Sequence, residues 1–434
     1  MGRKKKLQDN DRFYNFLHGF VNFAIKSSYR SIKYIGTERI PKDAAVIFAP
    51  NHTGTLMDAL VILAMDMKPK VFIARADIFR NPTLAKVLSF CKMMPIMRMR
   101  DGIEEVKKNN RTIEIAADVL KDKVPLCIFP EGTHQSKYSM LPLQKGIFRI
   151  ALQAKELLGD KPLYIVPVGI KYGNFYRFRS SVSVQFGNPL NVGEFIAEHS
   201  DRTTPEQINL MRENLAARMK ENIHFIPNNE DYEAKKEICA AMYSVQCAKN
   251  NTRDTNPLVN LNQKTTDEIE VLQQANPEVA EKLIELGKQA LKQRKQKHIS
   301  LKSVVKPRSF FAQAARALLL IITLPYTLFA TLCTSPVTLL CRALEGKFKD
   351  KAFLNSVRCV IKLLLWPLLF IAYTVAAFIC LPNLWAILTV IALLPVNAVA
   401  HDTFRAFRMA ASDFKLSCNR TLKAKYNEIR KFFQ

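Results

Sequence analysis

Apolar positions along the chain fall into four stretches of different period. In residues 13–25, FYNFLHGFVNFAI, a helical repeat puts Phe13, Phe16, Leu17, Phe20 and Ala24 on one face, and Lys26, Arg30 and Lys33 follow. The stretch reads either as a helix packed on a core or as an interfacial helix whose aromatics enter a headgroup zone beside a basic flank. From 43 to 225, short β-rich runs alternate with helical patterns. Strands are expected at AAVIFAP (44–50), KVFIA (70–74), PLCIFP (125–130), YIVPVGI (164–170) and VSVQFG (182–187). Helices are expected at 56–66, 82–92, 103–121, 145–157 and 205–221. Such alternation predicts an α/β domain, a mostly parallel sheet with flanking helices, whose site gathers in loops outside the strand ends. Pro167 inside its strand points to an edge position or a bulge.

Beyond residue 226 the pattern turns polar and helical. PEVAEKLIELGKQALKQRKQK (277–297) opens with Pro at a first helical position, so a helical connector is expected to residue 310. Residues 317–341 hold no charged side chain, and neither do residues 363–400. A bilayer is crossed by about 20 apolar residues, so the second run is long enough to cross twice, with a turn at Leu381-Pro382-Asn383. The first run carries Pro325 and Pro336 and reads as one span or a re-entrant hairpin. Basic residues flank both runs: Lys302, Lys306, Arg308 and Arg316 before the first, Arg342, Lys347, Lys349, Lys351, Arg358 and Lys362 between them, and eight Arg or Lys after residue 400. Basic segments prefer the cytoplasmic side, which favours two membrane hairpins opening there. The expected organisation is an amphipathic N-terminal helix (1–36), the α/β domain (37–225), a helical connector (226–310), membrane-embedded helices (311–404) and a basic cytoplasmic tail (405–434). The localisation that follows is integral membrane, with the α/β domain on the cytoplasmic face.

Charge narrows the partners. The chain has 64 Lys and Arg against 38 Asp and Glu, a formal net charge of +26. An excess of that size needs an anionic partner: nucleic acid, an anionic membrane surface or phosphorylated substrates. The sequence shows no zinc finger, aromatic RNA-binding signature or basic zipper, so nucleic acid is not expected, whereas anionic membrane lipids are. Nine cysteines include no Cys-x-x-Cys pair, and free thiols in a reducing compartment are expected. MGRKKKLQDNDRF has no apolar stretch ahead of a cleavage site and is not expected to be a signal peptide; Lys6 stands where myristoylation prefers Ser or Thr.

Four blocks carry candidate chemistry. NHTGTLMDA (51–59) follows a strand and precedes a helix, exposing His52 at a strand end. Asp58 can return to it if Gly54 bends the chain, and would then hold the imidazole tautomer and stabilise the imidazolium after proton abstraction. Read alone, this block is weak evidence, and a capping Asp with a structural His is the commoner explanation. KMMPIMRMRDG (92–102) projects Arg98 and Arg100 from an extended segment, and an arginine fork matches phosphate oxygens. In IFPEGTHQSKYSMLPLQKGIFRIA (128–151), Glu131 and Gly132 form a tight turn, and Lys145 and Arg149 follow on the next helix. Glu131 can contact an acceptor hydroxyl while basic groups bind phosphate; His134 reads as a loop residue. YIVPVGIKYG (164–173) would shape a pocket wall. No metal-ligand spacing and no Gly-x-Ser-x-Gly elbow appears.

Together the blocks resemble the glycerophospholipid acyltransferase family, the lysophosphatidate and glycerol-3-phosphate acyltransferases. The resemblance rests on Asn51-His52 with Asp58, Pro95-Ile96-Met97-Arg98, Phe129-Pro130-Glu131-Gly132-Thr133 and Val166-Pro167-Val168-Gly169, in the family's order across residues 37–225. It implies His52 as base, Asp58 as its partner, and Arg98, Glu131 and Gly132 as contacts to the acceptor's phosphate and glycerol. Arg100, Thr133 and Lys145 complete the expected substrate-binding set. Two positions depart from the family: five residues, not four, separate His52 from Asp58, and His134 replaces the usual Arg after Glu-Gly-Thr. The implied activity is transfer of an acyl group to a hydroxyl of lysophosphatidate, with glycerol 3-phosphate as the alternative phosphorylated glycerol acceptor. Acyl-CoA or acyl-carrier protein serves as co-substrate, and no cofactor is expected. A non-catalytic membrane lipid-binding protein is the reading of another class.

Overall fold

The computed structural model describes residues 6–9, 11–97, 109–249, 263–348, 350 and 352–433. The chain forms two compact units. The first comprises Met1–Lys26, Ser31–Lys171 and Val182–Ile223; the second comprises Ser27–Arg30, Tyr172–Ser181 and His224–Gln434.

Eight strands form one sheet: β1 (Ser31–Ile35), β2 (Ala45–Pro50), β3 (Val71–Arg75), β4 (Met93–Ile96), β5 (Leu126–Cys127), β6 (Leu163–Tyr172), β7 (Ser181–Phe186) and β8 (Leu190–Asn191). Their order is β1-β7-β6-β2-β5-β3-β4, with β8 paired to β6. β2 runs parallel to β5 and β6, and β3 runs parallel to β4 and β5. All six residues of β2 are buried, because a central parallel strand is covered on both faces and so reads as an unbroken apolar run. The five expected strands are present; β1, β4 and β8 join them. The expected strand at 125–130 is shortened to Leu126–Cys127, since the chain leaves the sheet there for the Glu131 turn.

Pro167 stands inside β6, between other strands, and not on an edge strand. β8 pairs with Tyr164 and Ile165 on β6, whereas Pro167 O accepts the N–H of Gly187, one residue past the end of β7. The proline therefore lies past the β8 pairing, beside the end of β7, where it can accept from Gly187 but has no N–H to give.

Helices α1 (Arg12–Ser28), α2 (Leu56–Leu63), α3 (Pro82–Phe90), α4 (Asn109–Lys121), α5 (Gly146–Leu158), α6 (Val192–Glu198) and α7 (Thr204–Lys220) accompany the sheet. Ile147, Phe148, Ile150, Ala151 and Ala154 of α5 bury a helical stripe against Ile47, Leu126 and Ile165 of the sheet. Each such aliphatic or aromatic burial contributes about 1.5–3 kcal/mol. α1 buries one face, with Tyr14 and Ile25 in the core, and exposes the other. Phe13, Phe16, Phe20 and Phe23 are exposed, while the polar His18 and Asn22 are buried. Those polar groups bond backbone carbonyls, His18 Nε2 to Leu63 O at 3.3 Å and Asn22 Nδ2 to Asp66 O at 3.3 Å.

The second unit is helical: α8 (Tyr232–Lys249), α9 (Gln263–Ala275), α10 (Pro277–Gln296), α11 (Leu301–Val305), α12 (Phe310–Ile322), α13 (Leu324–Glu345), α14 (Phe353–Cys380), α15 (Asn383–Leu393), α16 (Val396–Cys418) and α17 (Arg420–Lys431). The expected connector and tail are not separate segments here. Ile238 and Met242 of α8, Ile269 of α9, Leu283 and Ala290 of α10, and Leu422, Tyr426 and Ile429 of α17 share one core. The last three recur at helical spacing, so the basic tail has an apolar stripe that must be covered. Glu237, buried within that core, takes both arms of Arg294 at 2.7 and 2.8 Å and the Tyr426 hydroxyl at 2.6 Å.

Two helices, α13 and α14, are long and apolar enough to cross a membrane, and α15 with α16 make a third span if that pair, bent by 55°, counts as one. They mark the chain as membrane-associated. The first uncharged run breaks at Thr323, so α12 stands apart as a shorter apolar helix. Pro336 lies inside α13; it has no N–H to give the carbonyl of Leu332, and the Ser335 hydroxyl donates to that carbonyl at 2.7 Å instead. Such replacement is what an apolar solvent requires of a freed backbone group.

Candidate active site

The site begins where β2 ends. Asn51 is buried, and its side chain extends the sheet by one rung: Oδ1 accepts the Ile170 N–H at 2.6 Å and Nδ2 donates to Ile170 O at 3.2 Å. This ties the first sequence block to the fourth and fixes the peptide that carries His52. The bend that returns Asp58 to His52 is made by Thr55, at φ 55°, and not by Gly54. A β-branched residue is strained in that region, so surrounding bonds must hold it there. Gly54 contributes its N–H instead. Asp58, in the first turn of α2, accepts three hydrogen bonds on Oδ2: from His52 Nδ1 at 2.8 Å, Thr53 N–H at 2.9 Å and Gly54 N–H at 2.8 Å. Its side chain is wholly buried, while that of His52 is 19% exposed. With Nδ1 engaged by the carboxylate, Nε2 has no hydrogen-bond partner among the described residues and carries the lone pair.

The Glu131 turn closes over the same loop. Glu131 is buried; Oε1 accepts the His52 N–H at 2.8 Å and Oε2 the Leu141 N–H at 2.8 Å. Each carboxylate oxygen is thus bonded to a backbone N–H, so that Glu131 clasps two loops together. Gly132 sits at φ 66°, and a Cβ there would lie 2.9 Å from Gln144 Cγ, so the turn requires glycine. Its N–H donates to Phe129 O at 3.1 Å and is not available to a ligand. Thr133 is exposed, and its N–H has no partner among the described residues. Lys145, also exposed, precedes α5 and makes no side-chain hydrogen bond or ion pair among the described residues. Arg98 and Arg100 lie outside the described residues.

Two aromatic neighbours of His52 are absent from the site expected on sequence. Phe129 stacks on the imidazole at 4.3 Å between centroids, and His134 stands edge-on at 5.6 Å. Gln135 N–H donates to His52 O at 3.1 Å and Ser136 Oγ to Thr53 O at 3.0 Å. The signal for these is their proximity to Glu131 in sequence, which reading His134 as a loop residue leaves unused.

Burial pushes the Glu131 carboxyl from 4.5 up to about 7, against its two backbone bonds, which pull it down. A carboxyl raised on folding binds its proton more tightly in the native state. Its contribution to stability is fully present below about pH 4.5 and is lost as pH rises through about 7. The slope from this group is at most about 1.4 kcal/mol per pH unit. Thermal unfolding followed from pH 4.5 to 8 should therefore show a smaller decline in Glu131→Gln protein than in the wild type. An unchanged slope would place the ionisation elsewhere.

An Acyltransferase family model matches residues 31–171. These residues form a domain of the acyltransferase family. The 1-acyl-sn-glycerol-3-phosphate acyltransferase of Cocos nucifera is 30% identical over 165 residues, 38% of this chain and 49% of that one. The enzyme of the same name from Streptococcus pneumoniae is 27% identical over 195 residues, 44% of this chain and 67% of its own. Glycerol-3-phosphate O-acyltransferase 1 of Saccharomyces cerevisiae is 35% identical over 78 residues, 18% of this chain and 10% of that relative. The chain thus spans about half the length of the coconut relative. The acyltransferase domain contains β2, the His52–Asp58 pair, the Glu131 turn and nearly all of β6, every element that builds the site.

Proposed function

We propose that the chain transfers a fatty acyl group from an acyl thioester to a hydroxyl of lysophosphatidate, as a membrane-bound step of phospholipid biosynthesis. The observation that carries this reading is the 2.8 Å bond from His52 Nδ1 to a wholly buried Asp58, which leaves Nε2 to act. An acceptor hydroxyl against Nε2 gives up its proton as its oxygen attacks the thioester carbonyl. Asp58 stabilises the imidazolium so formed, and the imidazolium returns a proton to the departing thiolate. No acyl-enzyme is needed. The Thr133 N–H, unlike that of Gly132, is unspent and takes the role of donor to the oxyanion.

The acceptor's phosphate is assigned to Arg98, with Arg100 or Lys145; Lys145 is exposed beside the turn. The outward phenylalanines of α1 would rest in the headgroup layer, and the basic flanks of the apolar helices favour the cytoplasmic face. The names of the coconut and pneumococcal relatives support lysophosphatidate as acceptor. That of the yeast relative supports glycerol 3-phosphate as the second reading. Membranes bearing the expressed chain should be assayed with labelled lysophosphatidate, glycerol 3-phosphate and lysophosphatidylcholine, each with acyl-CoA and with acyl-carrier protein. Transfer to lysophosphatidate above the other two supports the first reading. Preference for glycerol 3-phosphate replaces it with the second, and no transfer to any acceptor overturns both.

A further inference from the structure

Within the second unit, Lys302, Arg30, Arg308, Arg316 and Arg405 gather about two carboxylates, Asp413 and Asp402, the latter paired with Arg30 at 3.0 Å. Asp413 on α16 is buried, and its Oδ2 accepts from Arg308 at 2.5 Å and lies 3.5 Å from Arg316. Its Oδ1 has no hydrogen-bond partner among the described residues. Lys302 on α11 is more crowded still. Its ammonium has no ion pair or hydrogen bond among the described residues, and burial, then the neighbouring Arg405, Arg30, Arg308 and Arg316, push it down to about 7. Beside them is a cavity of about 220 Å³ lined in part by Arg308, Asp413, Lys423 and Arg430. Lys423 gives one of its N–H groups to Ser417 O at 2.7 Å; Arg430 bonds Ala241 O at 3.1 Å and Asn427 Oδ1 at 3.0 Å. An ammonium has three donors and a guanidinium five, so both cations retain N–H groups for a ligand.

We propose that this cavity binds the headgroup of an anionic phospholipid, its phosphate on Arg308, Lys423 and Arg430 and a headgroup hydroxyl donating to Asp413 Oδ1. Lys302 and Arg316 supply the field that draws the phosphate in. Partly buried cations in such excess are costly unless an anion joins them. The surroundings favour a lipid over free phosphate. Phe310 and Phe311, two and three residues after Arg308, are 78% and 81% exposed, and Phe414, next to Asp413, is 64% exposed. Those rings offer acyl chains a surface that inorganic phosphate cannot use.

The test uses the full chain in a neutral detergent, with thermal unfolding measured in phosphatidylglycerol, phosphatidylcholine or inorganic phosphate. Phosphatidylglycerol should raise Tm with the logarithm of its concentration, as binding to the native state requires, and the other two should not. Lys423→Gln, at an exposed position, should lose most of that rise without lowering the lipid-free Tm. Lys302→Gln should also lose it, and should raise the lipid-free Tm by removing a like-charge contact. An equal rise in phosphatidylcholine, a full rise in inorganic phosphate alone, or an undiminished rise in Lys302→Gln and Lys423→Gln protein would overturn the proposal.

Discussion

Purified His52→Ala protein is expected to lose acyl transfer by a factor of about 10² to 10⁴ while unfolding at nearly the wild-type temperature. The loss is chemical: Nε2 is the ring nitrogen that the Asp58 pair leaves to act, and alanine supplies no base. The fold should persist, because Asp58 keeps the N–H groups of Thr53 and Gly54, and Glu131 keeps the backbone N–H of residue 52. What goes is the Nδ1 bond to Asp58 and the ring contacts with Phe129 and His134. His134, edge-on at 5.6 Å, stands outside the Asp58 pair and is not expected to substitute. Transfer assays at saturating donor and acceptor, with Tm as the control, check this. Activity within a few-fold of wild type in well-folded His52→Ala protein would falsify the assignment of base.

Much of the acyltransferase domain was legible because its signals are local. β2 is a run of buried apolar residues with no alternation, the pattern of a strand covered on both faces. The loop after it carries His and Asp where open α/β sheets place their sites. What the sequence hid was the division of labour among backbone groups. Glycine at 54 suggests the hinge, yet the left-handed residue is Thr55, and glycine's contribution is an unhindered N–H toward Asp58. An acidic residue in a turn suggests a ligand contact, and the sequence does not show that Glu131 also accepts from two backbone donors far apart along the chain. Neither follows from residue type, since both depend on which carbonyls and N–H groups the folded loops leave unpaired. In the basic tail at 405–434, Leu422, Tyr426 and Ile429 form a stripe that only tertiary packing reveals as core. The membrane runs were clear in length and composition; the break at Thr323 was not, because threonine is a common helical residue in apolar segments and gave no warning.

Asp58→Asn separates the catalytic from the structural meaning of the carboxylate. Two backbone N–H groups point at Oδ2, so the substituted side chain would turn its amide oxygen toward them and keep the loop intact. The His52 Nδ1 bond can then survive, but the negative charge that stabilises an imidazolium is gone. Turnover should fall by a factor on the order of 10² to 10⁴, with acceptor KM nearly unchanged, because the Asp58 side chain is wholly buried behind His52. Asp58→Ala, by contrast, strands both backbone donors. Each buried orphan costs about 1–3 kcal/mol, so this variant should lose stability as well as activity. The comparison discriminates between the two meanings of the pair. Were Asp58 only a cap on α2 and His52 only a structural ring, the asparagine variant would fold normally and turn over normally. A fall in kcat without a fall in Tm is what the charge of a buried carboxylate, acting through an imidazole, alone predicts.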